Sequence, residues 1–335
     1  MEYGIVLNTY LPISYQELFD YNVSQTVRAE KYNFNSVLVS SMPLSFDPWT
    51  LGIKIGLATE KIRIIVAHNT AMHIPTYSSK VLNSANALLN NRVDINLVTG
   101  SSSWYLAEDS LPASHVKRYE RTKEFIEVMR KLRNGSCSYT GEYFQFNNCN
   151  IYPEEDKQYP AGLFISGSSE EAMNIASKYA DYYLLFPEHS AKIKEKLRNV
   201  KQLAQQNQRD IKCGMVINII SHSDSNEAWK KAESMLNALS PVKKKFVKMY
   251  LSNSDSVGVK NNLRFINDEE PVEPYIWSGF SKISTSIGLS IVGNYQEVIT
   301  AIKRYAEAGV EYFLFANYND DSEIERIGEY VLPYL

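Results

Sequence analysis

The sequence predicts an α/β protein built as a single TIM-like (β/α)8 barrel with long insertions after strands 4 and 7. Three observations support this prediction. Eight short apolar runs have the composition of buried strands, helical patterns alternate with them, and no Pro/Gly-rich linker divides the chain. Of the 335 residues, 44% are hydrophobic, which is enough for one large core.

The eight strand candidates are nearly continuous apolar stretches, as expected for parallel strands that helices cover on the outside. They are residues 3–8, 36–41, 62–67, 93–98, 162–166, 182–186, 212–220 and 312–316. Six further segments place apolar residues on one helical face. These are residues 14–31, 77–91, 118–132, 169–179, 296–308 and 322–331. Eight strand–helix repeats predict a parallel sheet that closes into a barrel.

Two segments, residues 99–161 and 237–292, are too long for simple connections. The first holds one barrel helix and a predicted hairpin around residues 139–146, with its turn at Thr140-Gly141. The second mixes helix with irregular chain. Both leave the carboxyl ends of their strands, where barrel enzymes have their active sites, so we interpret them as lid or binding segments of one domain spanning residues 1–335.

Composition excludes several functional classes. The net charge of −3 and a pI near 6.0 argue against a nucleic-acid partner. No apolar segment approaches the ~18–20 residues of a membrane span, and the start of the chain does not resemble a signal peptide. The thiols Cys137, Cys149 and Cys213 and the five histidines have no metal-binding spacing, which predicts a cytoplasmic protein without a metal site.

The clearest chemical motif runs from a strand through Gly167, Ser168 and Ser169 into a helix. Free backbone N–H groups and hydroxyls at a helix start can bind a phosphate, and glycine allows its close approach. The alternative is an ordinary helix start with Ser169 as the N-cap.

Other candidates are weaker when taken alone. The segment 96–101 ends the fourth strand with small and hydroxylated residues that allow a flat ring or a phosphate to lie against the backbone. His115 precedes a barrel helix, where it either acts in proton transfer or caps the helix at the surface. His68 and His73, after the third strand, are equally open to both interpretations.

Together, these segments resemble the bacterial luciferase-like flavin monooxygenases, and in detail the alkanesulfonate monooxygenase branch. The resemblance covers essentially the whole chain. The matching segments are NLVTGS (96–101), HVKRYERTKEF (115–125), YP (159–160), FISGSS (164–169), DSNEAW (224–229), IVGNYQEV (291–298), RYAEAGV (304–310) and RIGEYVLP (326–333).

The resemblance implies a monooxygenase that uses O2 and FMN, supplied as reduced FMN by a separate flavin reductase. A C4a-(hydro)peroxyflavin then oxidises or hydroxylates a small organic or carrier-bound substrate, as in natural-product biosynthesis. It also implies a homodimer or homotetramer. Two alternatives remain open: an F420-dependent hydride-transfer oxidoreductase and a non-catalytic flavin-binding relative.

The resemblance also assigns residues to the cofactor. Ser168, Ser169, Tyr119 and Thr99 would contact the FMN phosphate beside Gly167. Ala67 and Val98 would pack against the flavin ring. His115 would be a catalytic pocket residue.

The substrate side departs from the sulfonate branch. Tyr10 replaces a pocket histidine, Ser45 replaces a cysteine, and Val216 and Asn218 replace an Arg-x-His pair. The lid arginine falls at Ser284, with Lys282 nearby. Tyr318 is retained, and we assign it with Tyr10 and His115 to the catalytic residues, but Asp320 replaces a histidine and is assigned with Ser45, Asn218 and Lys282 to the substrate pocket. Without the two arginines a sulfonate lacks its charge-assisted partners, so we expect a neutral or cationic substrate.

Overall fold

The computed structural model describes residues 1–9, 11, 13–41, 45–100, 114–238, 240–266, 271–316, 320 and 322–335. Eight parallel strands form its centre. They are β1 (Glu2–Val6), β2 (Ser36–Val39), β3 (Arg63–Asn69), β4 (Val93–Val98), β7 (Leu163–Ser166), β8 (Tyr182–Leu185), β9 (Lys212–His222) and β12 (Tyr312–Ala316). The order β1-β2-β3-β4-β7-β8-β9-β12 returns to β1, so the sheet closes and the predicted barrel is confirmed.

Helices cover the outside of the barrel. They are α1 (Tyr15–Lys31), α2 (Pro48–Leu57), α3 (Pro75–Leu88), α4 (His115–Leu132), α5 (Glu170–Tyr179), α6 (Ser190–Gln206), α7 (Ser225–Ala238), α8 (Pro241–Asn253), α9 (Val257–Phe265), α10 (Tyr295–Glu307) and α11 (Glu323–Tyr330). All six predicted helical segments are helices, with ends shifted by a few residues. The helices α2, α6 and α7 lie outside the predicted segments.

Local sequence signals explain several of the helix starts. Ser14 caps α1, since its hydroxyl accepts the Glu17 N–H at 3.3 Å while the Ser14 N–H donates to the Glu17 carboxylate at 2.9 Å. Asn294 and Glu297 form the same reciprocal pair at the start of α10. Such capping boxes satisfy backbone donors that a helix start otherwise leaves open.

Polar side chains close the amino-terminal end of the barrel. Arg63, at the start of β3, donates through Nε to Asp94 of β4 at 2.6 Å. The Ser36 and Tyr312 hydroxyls are also hydrogen-bonded to each other. Above them lies an apolar interior that includes Ile65, with the residues Leu38, Ala67, Phe164, Leu184, Val216, Ile287, Leu314 and Ala316. The polar floor stabilises the barrel end opposite to the one that carries active sites.

The two insertions contain regular structure. The predicted hairpin is confirmed as β5 (Cys137–Thr140) paired with β6 (Gln145–Cys149). In the second insertion, α8 and α9 precede β10 (Ile276–Trp277), a 3-10 turn (Gly279–Lys282) and β11 (Ser290–Asn294). The sequence prediction missed β11, which adds in parallel to the far half of β9, and it ended β9 two residues short of His222. Ile287 of this insertion packs into the barrel interior.

Candidate functional site

The turn between β7 and α5 forms the most constrained backbone of the carboxyl end of the barrel. Gly167 has φ +148°, and a Cβ atom there would lie 2.8 Å from the Ala172 Cβ and 3.1 Å from the Tyr119 hydroxyl. Its carbonyl accepts a hydrogen bond from the Tyr183 hydroxyl at 2.6 Å. A side chain at residue 167 would therefore fill the space beside the turn, and glycine keeps that space open.

Ser168 and Ser169 follow this glycine and differ in their hydrogen bonding. The Ser169 hydroxyl caps α5 by accepting the Ala172 N–H at 3.2 Å. The Ser168 Oγ is buried and has no hydrogen-bond partner within the part of the chain that the structure describes. A buried hydroxyl without a partner costs about 1–3 kcal/mol, so its presence at a helix start fits a ligand oxygen that the protein itself does not supply.

Tyr119 of α4 lies above the same turn. Its hydroxyl lies close to the side chains of Ser169 and Thr99, which follow strands β7 and β4, and both favour the ionised phenol. Burial raises the pKa of Tyr119, although these two side chains oppose the rise. The phenol therefore stays protonated at neutral pH and keeps an O–H that can donate to an anion. The structure brings Gly167, Ser169, Tyr119 and Thr99 together, and with Ser168 we call them the phosphate cradle after the phosphate contact that the resemblance implies.

A helix from the second insertion also reaches this turn. A Cβ atom on Gly258, in the first turn of α9, would lie 3.4 Å from the Ser168 Oγ and 2.4 Å from the Phe186 ring. Ser256 caps α9, accepting the Val259 N–H at 3.4 Å. The starts of α5 and α9 therefore both lie close to Ser168, and a helix start carries the positive end of the helix dipole. Sequence reasoning missed Gly258, although the segment Ser256-Val-Gly258 has the composition of a helix start.

The strand residues predicted to face the flavin ring occupy neighbouring strands. Ala67 lies in β3 and belongs to the barrel-interior cluster, and Val98 is the last residue of β4. The hydroxyl of Ser166, the last residue of β7, donates to the Asn96 side chain of β4 at 2.9 Å. This edge of the barrel mouth thus offers small apolar side chains next to the polar β7–α5 turn.

His115 is the first residue of α4 and is partly exposed. Its ring centroid lies 4.9 Å from that of Tyr119, on the helix turn above the phosphate cradle. The cap position belongs to Ser114, whose side chain makes no capping hydrogen bond. His115 is therefore not the N-cap of α4.

His68 is a structural residue of β3. The Trp49 Nε1–H donates to its Nδ1 at 2.9 Å, and its Nε2 lies 2.8 Å from the Ser78 hydroxyl, which donates to the Ile74 carbonyl. These partners fix a neutral ring with the proton on Nε2. Burial, with a smaller contribution from His73, lowers the pKa of His68 to about 3.

Asn218 lies on the other side of the barrel mouth. Its side-chain N–H groups donate to the carbonyls of Ile287 and Leu289 at 3.0 and 3.2 Å. Ser290 of β11 is the register partner of Asn218. The Asn218 Oδ1 and the Ser290 Oγ are both buried, and neither has a hydrogen-bond partner among the described residues. Because Ala316, also in register with Asn218, faces the barrel interior, both polar groups lie on that side of the sheet.

The other predicted pocket residues have the following partners and positions. Ser45 donates to the Phe46 carbonyl at 3.2 Å, and Lys282 is half-buried in the 3-10 turn of the second insertion. Asp320 is ion-paired with Lys231 and Arg326, which tie it to α7 and α11. Tyr10 and Tyr318 lie outside the described residues.

Two open cavities lie away from the barrel mouth. One, of about 460 Å³, is at the amino-terminal end, where Arg209 and Lys201 are ion-paired with Asp181 and Glu311. The other, of about 360 Å³, lies between the start of α10 and the chain end at Tyr334. In the described ranges, no cluster of three metal-ligating side chains occurs. Among the same residues no helix has the length and apolarity that a bilayer crossing requires.

Comparison with known families decides the classification. The family model described as luciferase-like monooxygenase matches residues 1–312. The chain belongs to this family. It is therefore an enzyme of the flavin-dependent monooxygenase class, built on the barrel described above.

Solved structures of luciferase-like proteins have the same fold. A riboflavin lyase with modified FMN and riboflavin superposes with a TM-score of 0.82 at 19% identity, covering 99% of this chain and 90% of that one. An EDTA monooxygenase from Chelativorans sp. gives 0.83 at 17% identity, covering 99% and 92%. An F420-dependent secondary alcohol dehydrogenase with an F420-acetone adduct gives 0.74 at 18% identity, covering 99% and 98%.

Proposed function

We propose that the protein is an FMN-dependent monooxygenase that takes reduced FMN and O2 and oxidises or hydroxylates a small organic substrate. The observation that carries this proposal is the buried Ser168 hydroxyl without a partner in the described residues, placed where the starts of α5 and α9 converge. A terminal phosphate supplies the acceptor oxygens that such a cradle lacks. FMN ends in that group.

The residues of the phosphate cradle have separate roles in holding the phosphate. Ser168 Oγ donates to it, and the backbone N–H groups of the α5 start add further donors beside Gly167. Tyr119 keeps its O–H because its pKa is raised, and Thr99 and Ser169 orient that hydroxyl. Ala67 and Val98 line the ring side, where small side chains admit a flat isoalloxazine.

Reduced FMN supplies the electrons that activate O2, and one oxygen atom goes to the substrate. The protein's own contribution is to exclude water and to position the substrate. Ile287 and the second insertion cover the barrel mouth for the first task. His115 stands at the edge of the phosphate cradle, with its ring 4.9 Å from that of Tyr119, where an imidazole can act in proton transfer.

For the substrate we propose a neutral molecule with an N–H or O–H group. Asn218 Oδ1 is a fixed acceptor because both N–H groups of that amide are already bound to carbonyls. Ser290 Oγ adds a second buried polar atom. With Val216 and Asn218 where an Arg-x-His pair stands in the sulfonate branch, an anionic substrate would lack its cationic partners.

Further parts of the proposal derive from the resemblance. We propose that a separate flavin reductase supplies reduced FMN, that residues 1–335 act as one catalytic domain, and that the chain assembles as a homodimer or homotetramer in the cytoplasm. An F420-dependent hydride transfer is the second candidate function, because a luciferase-like fold serves that chemistry in the secondary alcohol dehydrogenase.

The proposal is tested by comparing the affinity for FMN with that for riboflavin by fluorescence titration. Riboflavin has the same ring but no phosphate. We expect FMN to bind more tightly by about 2–4 kcal/mol, because a buried anion gains several charge-assisted hydrogen bonds. Equal affinities would contradict the phosphate assignment. Product formation from octanesulfonate under turnover conditions would contradict the neutral substrate.

A further inference from the structure

Two cysteines lie directly opposite each other in the β5–β6 hairpin. Cys137 is the register partner of Cys149 at the open end of this antiparallel pair. Directly opposed residues have Cα atoms ~4.5–5.5 Å apart, which lies within the ~4.4–6.8 Å that a disulfide spans. Both thiols are free and partly exposed, so neither backbone movement nor unfolding is needed to bring a reagent to them.

The side chains of Cys137 and Cys149 lie on the same face of the hairpin. Cys137 and Cys149 pack against one small apolar cluster formed by Val128, Leu132 and Ile151. The hairpin is fixed beside them, since the Asn148 N–H donates to the Ser138 hydroxyl at 2.9 Å. A β-bulge separates this pair from the Tyr139–Phe146 pair, and beyond it the two thiols are opposed on one face, as a cross-strand disulfide needs.

We propose that Cys137 and Cys149 are a redox modification site that hydrogen peroxide converts into a reversible disulfide. One sulfur attacks peroxide, the O–O bond breaks, and a sulfenic acid forms as one water leaves. The second thiol then displaces the sulfenic oxygen as another water, and the S–S bond forms. Overall, the two thiols lose two hydrogens and two electrons, and peroxide becomes two waters.

The oxidant has a source in the proposed function. Reduced flavin that reacts with O2 without transferring oxygen to a substrate releases hydrogen peroxide. This source rests on the proposed function, whereas the reactivity of the dithiol toward peroxide does not. Burial and the neighbouring Cys149 raise the pKa of Cys137, and Lys131 opposes the rise. The thiol is therefore protonated at neutral pH and reacts more slowly than an activated cysteine.

The hairpin connects this site to the phosphate cradle. Its turn is held by the Glu124 carboxylate of α4, which accepts the N–H groups of Glu142, Tyr143 and Phe144 at 2.7, 2.9 and 3.2 Å. The same helix carries Tyr119. A disulfide at the open end closes the hairpin loop and reduces the freedom of its open states. In the oxidised form, the hydrogen bonds between the hairpin turn and Glu124 of α4 should therefore open less often.

The test uses the full chain, reduced and then treated with hydrogen peroxide. We expect one of its three cysteines to remain titratable after unfolding, with an intact mass lower by two hydrogens, and dithiothreitol to reverse both changes. Amides of residues 142–144 should exchange more slowly in the oxidised form. Cys213 is fully buried and its pKa is raised to about 12, so it should be the remaining thiol.

Two variants and a second oxidant make the outcome decisive. Cys137→Ser and Cys149→Ser should each lose the intramolecular bond, and neither should lose mass by two hydrogens. Three intact thiols, or added oxygen atoms without a bond in the unmodified chain, would overturn the proposal. Reduced FMN and O2 without substrate should also oxidise the pair, and catalase should prevent it. If added peroxide forms the bond but flavin turnover does not, the site stands and the flavin source is wrong.

Discussion

The Arg118 Nη2 donates to the Asp255 Oδ2 at 2.6 Å and thereby joins α4 to the residue that precedes the cap of α9. The Arg118 side chain is only 1% exposed, whereas Asp255 retains 28%. Arg118 is adjacent to Tyr119, and α9 places Gly258 against Ser168. One ion pair therefore fastens the second insertion to the helix that builds the phosphate cradle.

Removing the charge of Asp255 should weaken the attachment of the second insertion to α4. Asp255→Asn removes the carboxylate that the buried Arg118 Nη2 contacts, and we expect the free energy of unfolding to fall by about 2–3 kcal/mol, at or below the lower end of measured buried-pair losses because Asp255 is partly exposed. The measurement is urea unfolding. Asp181→Asn, which breaks the more exposed pair with Arg209, is the matched control and should cost at most about 1 kcal/mol. Equal losses in the two variants would refute the role given to Arg118.

Ser168→Ala should separate ligand binding from stability. The variant removes a hydroxyl that has no partner among the described residues, so we expect weaker FMN binding by about 1–2 kcal/mol with unchanged or slightly increased stability. Riboflavin affinity should not change. Ser169→Ala is the contrast, because it also removes the cap of α5 and should lower stability by about 1 kcal/mol. The double variant should weaken FMN binding by about 1–3 kcal/mol. Unaltered FMN titrations in Ser168→Ala would remove this serine from the cofactor site.

His115→Ala should impair turnover without affecting the fold. A positioned acid or base contributes ~10²–10⁴-fold to rate, so we expect the rate of product formation to fall at least about tenfold. His222→Ala, at the far end of β9, serves as the control and should turn over like the unmodified protein. The assay measures product and peroxide together. A normal rate of product formation in His115→Ala would show that this histidine has no catalytic role.

Acid should destabilise the protein through His68. The pKa of His68 in the folded protein is about 3, below the ordinary value of 6.5. Between these two pH values the unfolded chain therefore binds a proton at this residue that the folded chain does not bind. The stability is fully present above pH 6.5 and is lost as pH falls from there toward 3. By pH 5 the loss is about 2 kcal/mol. His68→Gln, which can still accept from Trp49, should show a loss between pH 7 and pH 5 that is smaller by about that amount in urea unfolding. If the free energy of unfolding depended on pH identically in the two proteins, the lowered pKa of His68 would be contradicted.

The barrel was predictable because parallel strands covered by helices have a distinct composition. The run IIVA in β3 and YFLFA in β12 are apolar at every position, which only a strand buried on both faces tolerates. β11 was not predictable in the same way. Its sequence SIVGN is short and ends in glycine and a helix cap, and its pairing with β9 depends on how the preceding insertion folds back. Local sequence does not encode that long-range contact.

The part of the proposed phosphate cradle that lies within one strand–helix unit could be proposed from the sequence. Gly167, Ser168 and Ser169 are contiguous, so their chemistry is visible in the sequence. Gly258 and Asp255 come from an insertion some 90 residues further along the chain, and only the closed structure brings them to the cradle. Asp320 is a residue whose partners the sequence did not indicate. Its position suggested a pocket residue, but Lys231 and Arg326 engage its carboxylate.

The identity of the bound flavin and its reaction with oxygen distinguish a monooxygenase from a hydride-transfer enzyme on this barrel. The decisive measurement is an anaerobic titration of the protein with reduced FMN and, separately, reduced F420, with rapid mixing of each complex into oxygenated buffer. We predict preferred binding of reduced FMN and an oxygen-dependent transient in flavin absorbance before oxidised FMN appears. Preferred binding of reduced F420, with no oxygen-dependent transient, would contradict the account and assign the barrel to hydride transfer.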